Sequence, residues 1–203
     1  MLKSSKPVLV GITGGIGSGK SVVCRIFECL NVPVYYADDR AKWLMRNNES
    51  LIKSIKENFG EQSYQDGLLN TAYLASTVFP DQERLNQLNG LVHPAVAKDN
   101  KEWIDYHKGQ PLLIKEAALL FETGSYKSLD CIITVAADQD TRISRVLSRD
   151  AHRSEEEVLQ IIDKQMPQSR KIELADFVIH NNPQDELIQQ VFEFLNQKQI
   201  VLN

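Results

Sequence analysis

Cysteine is scarce in this sequence: Cys24, Cys29 and Cys131 are the three in 203 residues, and no two of them form a C-x-x-C pair. That excludes a disulfide framework and leads us to expect a reducing, cytoplasmic setting. The four histidines and the cysteines form no ligand-spaced cluster, which disfavours a resident transition-metal or redox centre. Long apolar runs are also missing. Residues 1–10 lack the apolar core of a signal peptide, and the strongest later stretch, "PLLIKEAALLF" (111–121), is interrupted by Lys115 and Glu116. Neither export nor a membrane span is expected. No sign of charge dominates, since 23 basic against 27 acidic side chains leave a formal net charge of −4. That balance argues against broad binding to nucleic acid or an anionic membrane and confines any phosphate recognition to one site. Internal repeats and low-complexity segments are absent as well.

What the sequence does have is a globular composition, 42% hydrophobic and 25% charged, in a length that suits one main domain with an insertion. Five short apolar segments bounded by turn residues read as strands, over 7–12, 32–37, 111–117, 129–137 and 176–180. Their near-continuous hydrophobicity suits a parallel sheet covered on both faces. Helical spacing falls in 19–30, 39–58, 70–77, 81–107, 139–150, 154–165 and 183–199. The order predicts an α/β fold with a doubly wound, parallel five-stranded sheet. Residues 39–108 far exceed an ordinary crossover, whose loops run to about 2–6 residues around a single helix. They are expected to form a helical insert, broken near "FGEQSYQDG" (59–67) and bent near His93-Pro94, because proline disfavours a continuous helix.

The most informative stretch is "VLVGITGGIGSGKSVV" (8–23), where a β-branched run meets a crowd of glycines. Glycine has the largest backbone entropy to lose, so this crowding destabilises the fold unless something must approach the loop closely. Gly14-x-x-x-x-Gly19-Lys20-Ser21 is the P-loop pattern, here between a strand and a helix. In that pattern backbone N–H groups cradle phosphates, lysine meets the β- and γ-phosphates, and the serine hydroxyl binds Mg²⁺. Gly14, Gly15, Ile16, Gly17, Ser18, Gly19, Lys20, Ser21 and Val22 are therefore the candidate nucleotide-binding residues, with ATP and Mg²⁺ as the implied ligands. A glycine turn without ligand is the bland alternative. The loop alone does not separate kinases from GTPases or motor-type ATPases, although a guanine-reading N-K-x-D motif is absent.

Other charged residues fall at strand ends, where open α/β sheets bind ligands. Asp38 is the candidate base for a hydroxyl attacking the γ-phosphate, and Asp39 a helix cap, with the reverse assignment open. Glu116 can orient Mg²⁺ or pair with a neighbouring cation, and Glu122 can line an acceptor pocket or cap a turn. In "RISRVLSRDAHR", Arg142, Arg145, Arg149 and Arg153 fall at spacings of three, four and four, along one face of a helix. They read either as a solvated stripe or as part of a helix–turn–helix lid over 142–170 whose arginines bind phosphate oxygens. Ser154-Glu155-Glu156-Glu157 carries a capping-box pattern for the second helix of that lid.

"GITGGIGSGKS", "AD" at 37–38, "LVHPAV" at 91–96, "LLFE" at 119–122, "R-x-x-x-R-D" at 145–150, Gln165, Lys171, "AD" at 175–176 and "HN" at 180–181 occur in this order. On these motifs, from about residue 8 to 195, the chain resembles the dephospho-coenzyme A kinases. The resemblance implies transfer of the γ-phosphate of ATP to the ribose 3′-hydroxyl of dephospho-coenzyme A, the last step of coenzyme A biosynthesis. It also implies a P-loop core, an acceptor-binding helical region and a lid. By motif position it implies Asp38 as base, Lys20 and Ser21 on phosphate and Mg²⁺, Arg145 and Arg149 as lid arginines, and His93 on the acceptor side. Partners are then expected to be the small-molecule acceptor and, at most, further copies in a small homo-oligomer, with neither nucleic acid nor membrane. Two departures from the family pattern stand out: Tyr36-Ala37-Asp38 where D-A-D is usual, and Glu116-Ala117-Ala118 where D-V-P is usual. Another small-molecule kinase, or a nucleotide-dependent switch, are the competing readings.

Overall fold

The computed structural model describes residues 6–202, so part of the leader region considered above lies outside the described residues. In chain order the elements begin β1 (Val8–Thr13), α1 (Lys20–Cys29), β2 (Val34–Tyr36), α2 (Ala37–Asn47) and α3 (Glu49–Phe59). A 3-10 turn (Glu61–Ser63), β3 (Tyr64–Gln65), β4 (Leu68–Leu69), α4 (Thr71–Val78) and α5 (Gln82–Tyr106) follow. The second half holds β5 (Leu112–Glu116), a 3-10 turn (Ser125–Ser128), β6 (Cys131–Ala136), α6 (Gln139–Arg149), α7 (Glu155–Lys164), α8 (Gln168–Leu174), β7 (Phe177–His180) and α9 (Leu187–Gln197). Two compact units result, Ala37–Tyr106 and the remainder.

The larger unit is built on a five-stranded sheet in the order β2-β5-β1-β6-β7 with every pairing parallel. Alternation along the strands sends side chains to two faces. Val10, Ile12, Leu112, Ile114, Cys131, Ile133 and Val135 point one way and pack with Val23 and Phe27 of α1 and Val191 and Phe194 of α9. The Phe27 and Phe194 rings meet edge to face at 6.2 Å. On the other face a Cβ at Gly11 would lie 2.6 Å from methyl groups of both Leu120 and Leu129, which pack directly onto the strand there. Both faces are therefore covered, as the doubly wound reading requires. Each fully buried aliphatic side chain stabilises this arrangement by roughly 1.5–3 kcal/mol.

Ala37–Tyr106 is helical with a small hairpin. Its core is Leu44, Leu51, Ile55, Phe59, Tyr64, Leu74, Val78 and Val92. Two local expectations are corrected here, and the expected break near 59–67 is present. The helix expected over 39–58 is two helices, because Asn48 turns extended and its side chain accepts from Leu51 N–H at 2.9 Å, capping α3. The break near 59–67 contains the β3–β4 hairpin, whose turn residues Asp66 and Gly67 both have positive φ (51° and 78°), as a tight hairpin turn demands. The bend expected at His93-Pro94 does not interrupt α5, which is assigned helical for 25 residues through Pro94. Pro94 removes a bond to the Gly90 carbonyl, but both residues are exposed, so water can satisfy that oxygen.

Candidate active site

Because the five strands run parallel, their carboxyl ends share one edge, and the loop Gly14–Gly19 leaves that edge from the central strand β1 to start α1. Gly17 and Gly19 have φ of +77° and +89°. A Cβ at Gly17 would fall 2.3 Å from the Arg142 carbonyl oxygen, and one at Gly19 would fall 2.0 Å from Asn181 Nδ2. Both glycines are thus required twice, by conformation and by close packing. Helix α1 begins without a side-chain cap and without an acidic residue in its first turn. An uncapped helix end that opens on a lysine attracts anions through its N–H groups and its dipole.

Side chains from distant elements hold the loop in this shape. Asn181, just past β7, donates from Nδ2 to Ser18 O at 2.7 Å, and its own N–H donates to Ala136 O at 2.8 Å. Arg142 Nε donates to Ile16 O at 3.0 Å, and Ile16 N–H donates to Gln165 Oε1 at 2.9 Å. Arg142 is buried, which draws its guanidinium below the usual arginine range.

In front of the loop lies a cavity of about 240 Å³ lined by Gly17, Gly19, Lys20, Ser21, Glu116, Arg145, Val146 and Arg149. Lys20 Nζ donates to Gly14 O at 3.0 Å and stands 4.0 Å from Glu116 Oε1. Arg145 donates to the Asn181 carbonyl at 2.8 Å. Arg149 forks onto Asp150 at 2.8 and 2.9 Å, and that hydrogen bonding holds the Asp150 carboxyl down to about 2. Beneath α1, burial first and the Glu116 charge second push the Cys24 thiol far up, so it stays protonated and inert. Ser21, with a hydroxyl, and Glu116, with a carboxylate, bring hard oxygen donors to the lining of this cavity. Among the described residues no cluster of three or more His, Cys, Asp or Glu forms a metal cage. This donor set fits Mg²⁺, which takes one or two protein oxygens and completes its shell with water and substrate phosphate.

The structure therefore brings together the loop residues, Lys20, Ser21, Glu116, Arg145 and Arg149. Val22 lies half-exposed in the first turn of α1. Arg142 and Arg153 depart from the expected arginine face. Arg142 is spent on the loop backbone, and Arg153 lies beyond the end of α6, where it donates to Asp150 at 3.3 Å. Glu122 lines no part of this cavity. Its carboxylate pairs with the fully buried Lys171 at 2.8 Å and accepts from Met166 N–H at 3.0 Å. Burial alone would raise the Glu122 carboxyl, but the Lys171 and backbone hydrogen bonds outweigh it and hold the group below the ordinary range. Asp38 and His93 belong to the helical unit, both exposed, in the first turn of α2 and on α5. Asp39 stands beside Asp38 in that turn and pairs with Lys42 at 3.0 Å instead of capping α2. Sequence reasoning missed the bracing roles of Asn181 and Arg142, and it cited Gln165 and Lys171 without a role.

A parallel sheet whose central strand feeds a Gly-x-x-x-x-Gly-Lys-Ser loop, with carboxylate and arginines facing that loop, defines a P-loop kinase. The model of the dephospho-CoA kinase family matches residues 8–186, and the chain belongs to that family. A dephospho-CoA kinase of Bacteroides fragilis (strain YCH46) is 37% identical over 194 residues, covering 94% of each chain. That of Salinibacter ruber is 40% identical over 176 residues, covering 85% of this chain and 88% of its own. The crystal structure of TT1252 from Thermus thermophilus superposes with a TM-score of 0.88 at 34% identity, covering 97% of this chain and all of that one.

Proposed function

We propose that this kinase transfers the γ-phosphate of ATP to the ribose 3′-hydroxyl of dephospho-coenzyme A, giving coenzyme A and ADP. The observation that carries the proposal is the convergence of Lys20, Ser21, Glu116, Arg145 and Arg149 on one cavity in a chain of this family. The N–H groups of the loop from Gly14 to Val22, apart from that of Ile16, which Gln165 holds, bind the phosphates, and Lys20 shifts from Gly14 O and Glu116 to the β- and γ-oxygens. Ser21 and Glu116 would hold Mg²⁺, which would supply positive charge against the phosphates there. Arg145 and Arg149 stabilise the charge that builds on the transferred group. Residues 142–170 act as the lid that excludes water, and 39–108 bind the acceptor with His93 against it. Asp38 orients the 3′-hydroxyl and accepts its proton.

Three free cysteines and the absence, among the described residues, of any helix long and apolar enough to cross a membrane support action in a reducing cytoplasm. The acceptor is a small molecule, and assembly is limited to a monomer or small homo-oligomer. The test is ADP formation with Mg·ATP in the presence of dephospho-coenzyme A, adenosine monophosphate or pantothenate, with product mass read directly. Stimulation by dephospho-coenzyme A alone, with coenzyme A detected, is expected, whereas equal rates with all three overturn the proposal. Asp38→Asn is expected to lower kcat by about 100-fold or more with little change in the KM for ATP. A near-normal kcat removes Asp38 from the base role.

A further inference from the structure

We infer that Gln165 is a positioning residue for this transfer, acting through Ile16 of the phosphate loop; the inference rests on the functional reading above. Three groups of Ile16 are gripped by one helical hairpin. Its N–H donates to Gln165 Oε1 at 2.9 Å, and its carbonyl accepts from Arg142 Nε at 3.0 Å. Its side chain packs on the hairpin's own core of Ile143, Val146 and Val158. The loop and the helix carrying Arg145 and Arg149 are thus joined at one residue, from both arms of the hairpin.

Gln165 can serve as the reference point because the segment around it is anchored independently. Gln165 ends α7 in an extended conformation (φ −89°, ψ 155°). The next residue, Met166, donates its N–H to Glu122 at 3.0 Å, and Gln168 Oε1 accepts from Ala137 N–H at 3.3 Å. Lys171 donates to Ala118 O at 3.0 Å, and Thr134 Oγ1 donates to Lys171 O at 3.1 Å. These contacts tie 165–171 to the ends of β5 and β6, which share the edge with the loop. Arg145 and Arg149 lie about 4.5 and about 10.5 Å along α6 from Arg142, at 1.5 Å per residue. Without the Gln165 contact the Ile16 end of the loop keeps only the Arg142 bond and its side-chain packing on the hairpin, with Asn181 still holding Ser18 O, and that end can shift and carry Lys20 against the two arginines. A misplacement of about 1 Å costs up to roughly 100-fold in rate.

Gln165→Met keeps the side-chain length and removes the acceptor, whereas Gln165→Glu keeps an acceptor for Ile16 N–H. We expect Gln165→Met to lower kcat about tenfold to 100-fold, to weaken Mg·ADP binding severalfold by calorimetry, and to leave the KM for dephospho-coenzyme A unchanged. Gln165→Glu recovers most of both losses. In an Arg145→Ala background, Gln165→Met adds less than its loss in the wild-type chain, because one of the two arginines against which the loop is positioned is already gone. Should Gln165→Met melt well below wild type, Gln165→Asn, which keeps the amide but is one methylene short, takes its place. Wild-type kcat and Mg·ADP affinity in the Met or Asn variant overturn the inference. So does a loss fully additive with Arg145→Ala, or Gln165→Glu as impaired as Gln165→Met. The Mg·ADP titration needs no turnover. A wild-type chain that binds Mg·ADP but ignores dephospho-coenzyme A overturns the functional reading alone, and the titration still decides the role of Gln165.

Discussion

Glu122→Gln tests whether a charged side chain beside the last strands serves ligand or fold. Lys171 is fully buried, Glu122 remains 22% exposed, and their charged atoms stand 2.8 Å apart. Replacing the carboxylate by an amide leaves an ammonium in the interior without its counter-charge, held by Ala118 O and at most a neutral amide oxygen. Breaking a buried pair by removing one partner costs about 3–5 kcal/mol. The lower end applies here, because water reaches Glu122 and one acceptor stays. About 3 kcal/mol corresponds to a fall of roughly 6–12 °C in Tm for a chain of this length. The carboxyl is held below its ordinary range in the folded state, so its contribution is complete above the unfolded-state value and is lost as pH falls through the folded-state value. The Tm gap between wild type and Glu122→Gln should therefore be widest near neutrality and close as pH drops below about 4.3. Adding Lys171→Met should restore much of the lost Tm, since an apolar replacement of a whole buried pair is often neutral. The assay is thermal melting across pH, with the KM for dephospho-coenzyme A measured in parallel. A wild-type Tm with a raised acceptor KM would refute the structural role and return Glu122 to the acceptor pocket.

Lys20→Ala should abolish turnover while the fold survives, because Lys20 is partly exposed at a cavity wall and its partners there are Gly14 O and Glu116; steady-state ADP release and melting curves check both halves. Asn181→Ala should strand Ser18 O and empty the space beside Gly19, costing about 1–3 kcal/mol. Melting should register that loss, and nucleotide titration should show weaker Mg·ATP binding; an unchanged titration would mean the loop holds its shape without this brace.

The P-loop and the five strands were legible because their signals are local. Glycine positions, β-branched runs and strand-bounding turns lie within a few residues of what they specify. The capping box at Ser154 and Glu157 was legible for the same reason, and both of its hydrogen bonds are present. The strand end at 32–37 was read one residue too long, because Ala37 already opens a helix whose first turn holds Asp38 and Asp39, where the dipole favours carboxylates. Helix α8 was not anticipated. Its buried face carries Lys171, which reads as surface until Glu122 and Ala118, some fifty positions earlier in the chain, are seen to meet it. Asn181 stood in the sequence only as half of the "HN" at 180–181, and its partner, Ser18 O, lies 163 residues away in sequence.

Burial sorts the cations around the loop into two jobs that a helical spacing alone could not separate. Arg142 and Lys171 are buried with fixed acceptors, Ile16 O for one, Ala118 O and Glu122 for the other. Neither can be surrendered to a ligand, since leaving a buried charge unpaired costs several kcal/mol. Lys20, Arg145 and Arg149 line the cavity and hold partners that a phosphate can displace. Arg149 is the clearest case, because its side chain is 65% exposed and its pair with Asp150 is of the kind worth about 1 kcal/mol or less. A triphosphate entering the cavity offers oxygens that bind guanidinium and ammonium groups more strongly than a lone surface carboxylate does. The arginine row at 142, 145 and 149 thus divides after its first member, which shapes the loop while the next two line the cavity in front of it.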